Sequence, residues 1–131
     1  FNFSFSGLKT AVLYKTREFR KLSPEIINQI CYEFQEAATD VLISKTTKAA
    51  KKYKVKSVML SGGVSANKLL REKLEKKINT ELNGVKFFKP DTSYTTDNAV
   101  MIALAGYFNW KKRKTGSASW KPVIPNANLN F

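Results

Sequence analysis

Residues 57–68 read Ser57-Val58-Met59-Leu60-Ser61-Gly62-Gly63-Val64-Ser65-Ala66-Asn67-Lys68. A short apolar run, Ser57 to Leu60, ends in paired glycines and leads directly into a helical pattern. That is a strand, a tight turn and a helix. The run is read as a strand buried on both faces, with the second helix starting near Ser65. Leu69, Leu70, Leu74 and Ile78 recur at helical spacing, while Lys68, Arg71, Glu72, Lys73, Glu75 and Lys76 keep the other side wet. Asn83-Gly84 closes this unit, and Val85 to Phe88 reads as another strand ended by Pro90. Upstream, Ser23-Pro24-Glu25 is a helix start, with a hydroxyl cap, proline at the first helical position and an acid in the first turn. The helix it opens is expected to run to about Tyr53, with Ile26, Ile27, Ile30, Phe34, Ala37, Ala38, Val41 and Leu42 as its inner stripe.

Helix, strand, helix, strand, helix is the grammar of an α/β layer. Phe1, Phe3 and Phe5 alternate with Asn2 and Ser4, an opening strand pattern, followed by a Ser6-Gly7 turn and a short helix over 8–14. The basic stretch 15–21 reads as a loop. Residues 99–106 are apolar on all sides, so that helix is expected in an interior. From Lys111 onward a basic segment with Pro122 and Pro125 reads as an extended tail. An abrupt phenylalanine-rich start, a small sheet and an all-round apolar helix lead us to expect a piece of a longer protein.

The 131 residues have one domain's worth of length. Basic side chains number 23 against 10 acidic, a net charge of +13, which points to phosphate-rich partners; lysine dispersed over helix faces also serves solubility alone. No apolar run reaches the roughly 18–20 residues of a membrane-spanning helix, and no membrane partner is expected. There is no histidine, so Ser-His-Asp and Cys-His catalysis and a self-contained histidine metal site are excluded within this chain. The single cysteine, Cys31, lies in an apolar helical pattern and is expected to be buried. Tyr94, Trp110 and Trp120 are read as core or lobe-interface residues rather than base-stacking platforms.

Two loops carry candidate chemistry. Gly62 and Gly63 let backbone N–H groups approach a ligand at a helix start, where phosphate is the natural guest; the same glycines also suit a tight turn for geometry alone. Asn67 either presents its amide to such a ligand or caps the helix. Asp97, in Thr95-Thr96-Asp97-Asn98 at the mouth of the apolar helix, either caps that helix or offers one carboxylate to a metal ion.

Taken in order, Phe3-Ser4-Phe5-Ser6-Gly7-Leu8-Lys9-Thr10-Ala11-Val12, Ser61-Gly62-Gly63-Val64-Ser65-Ala66-Asn67-Lys68 with Leu70-Arg71, and Thr96-Asp97-Asn98-Ala99 with Met101-Ile102-Ala103 resemble the C-terminal part of the tRNA N6-adenosine threonylcarbamoyltransferase family. O-sialoglycoprotein endopeptidase and glycoprotease are former names of the same family. The resemblance covers most of residues 1–110. It implies the C-terminal lobe of an actin-like, Hsp70-like ATPase fold, with a small sheet packed by helices. On that division 1–22 holds an inter-lobe strand, short helix and linker, 23–110 the α/β core and 111–131 the basic tail.

The resemblance further implies transfer of a threonylcarbamoyl group from threonylcarbamoyl-adenylate to the N6 amine of the adenosine 3′ of the tRNA anticodon. Gly62 and Gly63 would face the adenylate phosphate and Asn67 its nucleoside part. Asp97 would be one ligand of a divalent metal, iron or zinc, whose two histidine ligands come from an HxxxH motif in the family's N-terminal half. Implied partners are tRNA, the adenylate and accessory proteins of the same modification pathway, in the cytoplasm. The lobe by itself is expected to be inactive, to hold no tightly bound cofactor, and to self-associate through an uncovered face. Two other readings stand beside this one: a carbamoyltransferase of the same superfamily, and a non-catalytic module binding RNA or protein.

Overall fold

Ser23 begins the longest element: its hydroxyl accepts a hydrogen bond from the Ile26 N–H at 3.4 Å, and Pro24 supplies a first-turn φ that needs no N–H partner. The computed structural model, which describes residues 1–112, has helix α1 at Ser6–Arg17, α2 at Pro24–Tyr53, strand β1 at Ser57–Met59, α3 at Lys68–Glu81, β2 at Lys86–Phe88 and α4 at Ala99–Lys112. Two units divide the chain, Phe1–Thr96 and a second that begins at Asp97.

In the first unit the 30 residues of α2 end where Lys54 turns left-handed at φ 49° and donates its N–H back to the last turn. The chain then runs through β1, crosses over by α3 and returns as β2, parallel to β1 with Val58 opposite Phe87. Beyond the strand ends the ladder continues, from Lys86 N–H to the Lys56 carbonyl at 3.0 Å and from Leu60 N–H to the Phe88 carbonyl at 2.9 Å. Gly84, at φ 79°, makes the turn between α3 and β2 that a side chain would resist.

The core lies where α2, α3 and the sheet meet. Ile43 and Ala50 of α2, Val58 of β1, and Leu70, Leu74, Ile78 and Leu82 from α3 and its end are buried together, with Leu42, Val55, Leu60, Val85 and Phe87 packed around them. The stripe of α3 is therefore the expected one at Leu70, Leu74 and Ile78. Helix α2 differs. Its buried face is Thr39, Ile43, Thr47 and Ala50, and Ile27, Phe34 and Val41 of the expected stripe are exposed. Threonine is admitted to that face because each hydroxyl donates to carbonyls one turn back, Thr39 to Gln35 at 2.9 Å and Thr47 to Ile43 at 2.9 Å. Apolar periodicity cannot see a polar group satisfied by its own helix.

Four further expectations change. Residues 1–5 form no strand; instead Phe1 lies edge-on to Tyr53 and Phe3 beneath Lys45, both of α2, and Phe5 stacks on Phe3. Helix α1 takes in Ser6-Gly7 and continues to Arg17, so the basic loop begins only at Glu18. Strand β1 is buried on one face: Val58 is covered, whereas Met59 is 76% exposed. Cys31 is exposed on the half of α2 that lies N-terminal to its buried face.

The second unit consists, among the described residues, of a two-residue approach and α4. Asn98 accepts a hydrogen bond from the Met101 N–H at 2.9 Å and so caps the helix. None of the residues of α4 is buried, contrary to the interior position expected of so apolar a helix, and its aromatic residues Tyr107, Phe108 and Trp110 pack on one another in the open. Composition states that a helix favours cover, not what covers it. Lys111 and Lys112 belong to α4 rather than to a tail; the rest of the expected extended tail, with Trp120, Pro122 and Pro125, lies outside the described residues. No described helix is long and apolar enough to cross a membrane. The architecture is α/β, helix-rich with a two-stranded parallel sheet.

Candidate functional site

Parallel strands place their carboxyl ends on the same edge, and the loops leaving that edge are where α/β folds hold ligands. Here β1 and β2 end side by side, and the chain leaves them as the Leu60–Asn67 and Lys89–Thr96 loops. The first loop turns at Gly62, whose φ of 82° and ψ of 173° belong to a region used almost only by glycine. Gly63 then opens a 3-10 turn over Gly63–Ala66, closed by Ser65 N–H to the Gly62 carbonyl at 2.9 Å. The N–H groups of Gly63 and Val64, at the start of the turn, have no partner within it. A Cβ built on Gly62 or on Gly63 would meet no atom within 4 Å. Backbone is thus presented to open space.

Asn67 starts α3. Its Oδ1 accepts from the Leu70 N–H at 2.9 Å, and its Nδ2 donates to Gln35 Oε1 of α2 at 3.1 Å. The cap reading of Asn67 is what the geometry displays, at the N-cap rather than in the first turn. An amide nitrogen carries two hydrogens and an amide oxygen two lone pairs, so one donor and one acceptor direction remain.

Arg71 is the residue that sequence reading passed over. Its Nε donates to the Ser65 carbonyl, and its Nη2 donates to the Pro90 carbonyl at 2.8 Å. One guanidinium therefore clamps both loops to α3, a task suited to a planar fork of fixed donors. The signal was present as an arginine in the wet face of α3, but its carbonyl partners lie 6 and 19 residues away, which pattern alone does not reveal. Beneath the clamp the Ser65 hydroxyl is fully buried and has no hydrogen-bond partner among the described residues. In the second loop, Asp91 accepts from the Ser93 N–H at 3.2 Å and from its hydroxyl, and these bonds hold its carboxyl below the usual carboxylate range. Thr95 is buried, its hydroxyl donating to the Thr92 carbonyl at 2.8 Å.

Gly62, Gly63 and Asn67 are thus brought together on one loop. Asp97 belongs to the second unit, where it is exposed, and the capping of α4 falls to Asn98 instead. The residues present do not make a metal site: among the described residues no three His, Cys, Asp or Glu side chains cluster, and the whole sequence holds no histidine. Asp97 is one carboxylate, and a single monodentate ligand gives little affinity.

A family model described as tRNA N6-adenosine threonylcarbamoyltransferase matches residues 1–104. Curated proteins of that name are similar over 83–98% of this chain. One from Thermosipho africanus is 44% identical over 98% of this chain and 38% of its own length. One from Thermosipho melanesiensis is 49% identical over 98% of this chain and 37% of its own. A third, from Francisella philomiragia, is 50% identical over 83% of this chain and 32% of its own. The chain spans about a third of the length of these relatives. With matches of this extent, it belongs to the tRNA N6-adenosine threonylcarbamoyltransferase family.

Proposed function

We propose that this chain provides the adenylate-facing loop of a threonylcarbamoyltransferase acting on tRNA, within the C-terminal lobe of an actin-like fold. The observation that carries the reading is the Gly62-Gly63 turn at the carboxyl edge of β1. The N–H groups of Gly63 and Val64 are unpaired within that turn, and a Cβ on either glycine would meet no atom within 4 Å. In the reaction the N6 amine of the adenosine attacks the carbamoyl carbonyl carbon of threonylcarbamoyl-adenylate. A C–N bond forms, the bond from that carbon to the phosphate oxygen breaks, AMP leaves and the amine gives up a proton to solvent. Backbone donors at Gly63 and Val64 would bind the adenylate phosphate, holding its charge as the leaving group departs. Asn67 would direct its remaining amide donor and acceptor to the nucleoside. Arg71, with Nε and Nη2 committed to the Ser65 and Pro90 carbonyls, would position the glycine loop against the second loop.

Asp97 would offer one carboxylate to a divalent cation, iron or zinc, whose histidine ligands this chain does not contain. Such a cation would supply Lewis-acid polarisation of the carbonyl. tRNA, the adenylate and accessory proteins of the modification pathway are the partners, in the cytoplasm.

The test is transfer of labelled threonylcarbamoyl to tRNA by the full-length protein, with the Arg71→Ala variant alongside. Loss of the clamp is expected to raise the KM for the adenylate more than it lowers kcat. Activity on a small carbamoyl acceptor with no requirement for tRNA would replace this reading by that of a small-molecule carbamoyltransferase.

A further inference from the structure

Residues 41–71 contain eight lysine and arginine side chains and no acid, and the fold gathers part of that charge into a groove between α2 and α3. The groove has a volume of about 640 Å³. Five lysines line it, Lys48 and Lys51 from α2 and Lys73, Lys76 and Lys77 from α3, against the carboxylates of Asp40 and Glu81. The acids are fully engaged. Glu81 is shared by Lys51, at 2.7 Å, and Lys77, while Lys73 holds Asp40 at 3.0 Å together with Glu36 just outside the lining. Lys48 and Lys76, one on each wall, are exposed and form no ion pair with any described residue. They are the surplus positive charge of the groove.

We infer that the α2–α3 groove is a docking surface for the phosphate backbone of RNA, with Lys48 and Lys76 as its phosphate contacts. The inference rests on the proposed tRNA-directed activity and adds to it a surface away from the glycine loop. The occupant follows from the lining chemistry. The only large apolar side chain there is the buried Ile43, and no aromatic side chain is present. Protein interfaces concentrate aromatic anchors and are depleted of lysine. Membrane-surface helices need exposed apolar side chains opposite their cations. Base stacking needs aromatic faces. A row of lysine ammonium groups over aliphatic stems instead suits sequence-independent contact with phosphate oxygens.

The experiment is tRNA binding by the full-length protein across salt concentrations, comparing parental protein with Lys48→Gln/Lys76→Gln and with a control pair outside the groove, Lys54→Gln/Lys86→Gln. Glutamine keeps the stem and removes the charge, and the thermal melting curve checks the fold of each variant. Losing two phosphate contacts should lower the slope of log K against log salt by about 1.4–1.8, with a roughly tenfold weaker affinity at low salt. The control pair should retain the parental slope. A parental slope in the groove variant, or an equal fall in both pairs, overturns the inference and leaves dispersed lysine as the account. So does loss of binding to phosphatidylserine vesicles or to polyglutamate with tRNA binding kept. Transfer activity is read in the same preparations. A parental protein that binds tRNA through these lysines but transfers nothing refutes the proposed activity alone, whereas an active protein indifferent to the double substitution refutes the groove alone.

Discussion

Adjacent glycines with opposite requirements make the sharpest test of the candidate site. Gly62 sits at φ 82° and ψ 173°, so a methyl group there is strained although nothing stands within 4 Å of it. Holding alanine in that region costs about 1–3 kcal/mol. Gly63 has no positive φ and the same open surroundings, so its methyl group meets no obstacle in the protein. Replacing it stiffens the unfolded chain and is expected to stabilise by about 0.4–1 kcal/mol. The stiffening of the unfolded chain is common to both alanine variants, so they should differ by the strain alone, about 1–3 kcal/mol. With a urea m-value of about 1–3 kcal/mol/M, midpoints measured by far-UV circular dichroism should separate by roughly 1 M, Gly63→Ala being the higher. Adenylate binding should invert that order of benefit. The Gly63 methyl group projects into the space proposed for the phosphate, so calorimetry should show at least a roughly tenfold loss of AMP affinity, or about 1.4 kcal/mol, in the more stable variant. Parental AMP affinity in Gly63→Ala would refute the reasoning that this space belongs to the ligand. Equal stability of the two variants would refute the assignment of strain to Gly62.

Other expectations are narrower. Asp97→Ala in the full-length protein should abolish transfer while leaving the melting temperature near parental, because Asn98 rather than Asp97 caps α4; persistent activity would remove Asp97 from the metal assignment. Ile78, fully buried where α3 meets the core, should lose about 2–5 kcal/mol on replacement by alanine, read from urea unfolding. Ser65→Ala removes a buried hydroxyl that has no partner among the described residues, so it should raise stability by about 1–3 kcal/mol or leave it unchanged; a loss would reveal a hydrogen bond to that hydroxyl in solution. Lys51 and Lys77 hold the Glu81 carboxyl at about 2, below its ordinary 4.5, so the stability it contributes is present above pH 4.5 and disappears as pH falls toward 2. Unfolding curves of parental protein and Glu81→Gln should differ at neutral pH and converge near pH 2, with the difference shrinking in high salt.

Local chemistry was legible wherever a residue's neighbours in space are its neighbours in sequence. Ser23-Pro24 announced the start of α2, the Leu70, Leu74, Ile78 spacing announced the inner face of α3, and the strand-glycine-helix order announced the loop at the carboxyl edge of β1. These depend on capping bonds and helical period, which act over three or four residues. Family membership was legible for a similar reason: three ordered motifs are a property of the string itself.

Only the tertiary structure decided which side of α2 faces the core. Thr39 and Thr47 could enter it because their hydroxyls bond to their own helix, and Ile27 and Phe34 stay outside because the packing of α3 covers another face. It likewise made Arg71 a clamp between Ser65 and Pro90, and left Lys48 and Lys76 on opposite walls of a groove without counter-ions among the described residues. Such facts depend on contacts between residues far apart in sequence, whose geometry is set by closing the chain into a packed unit rather than by any local preference.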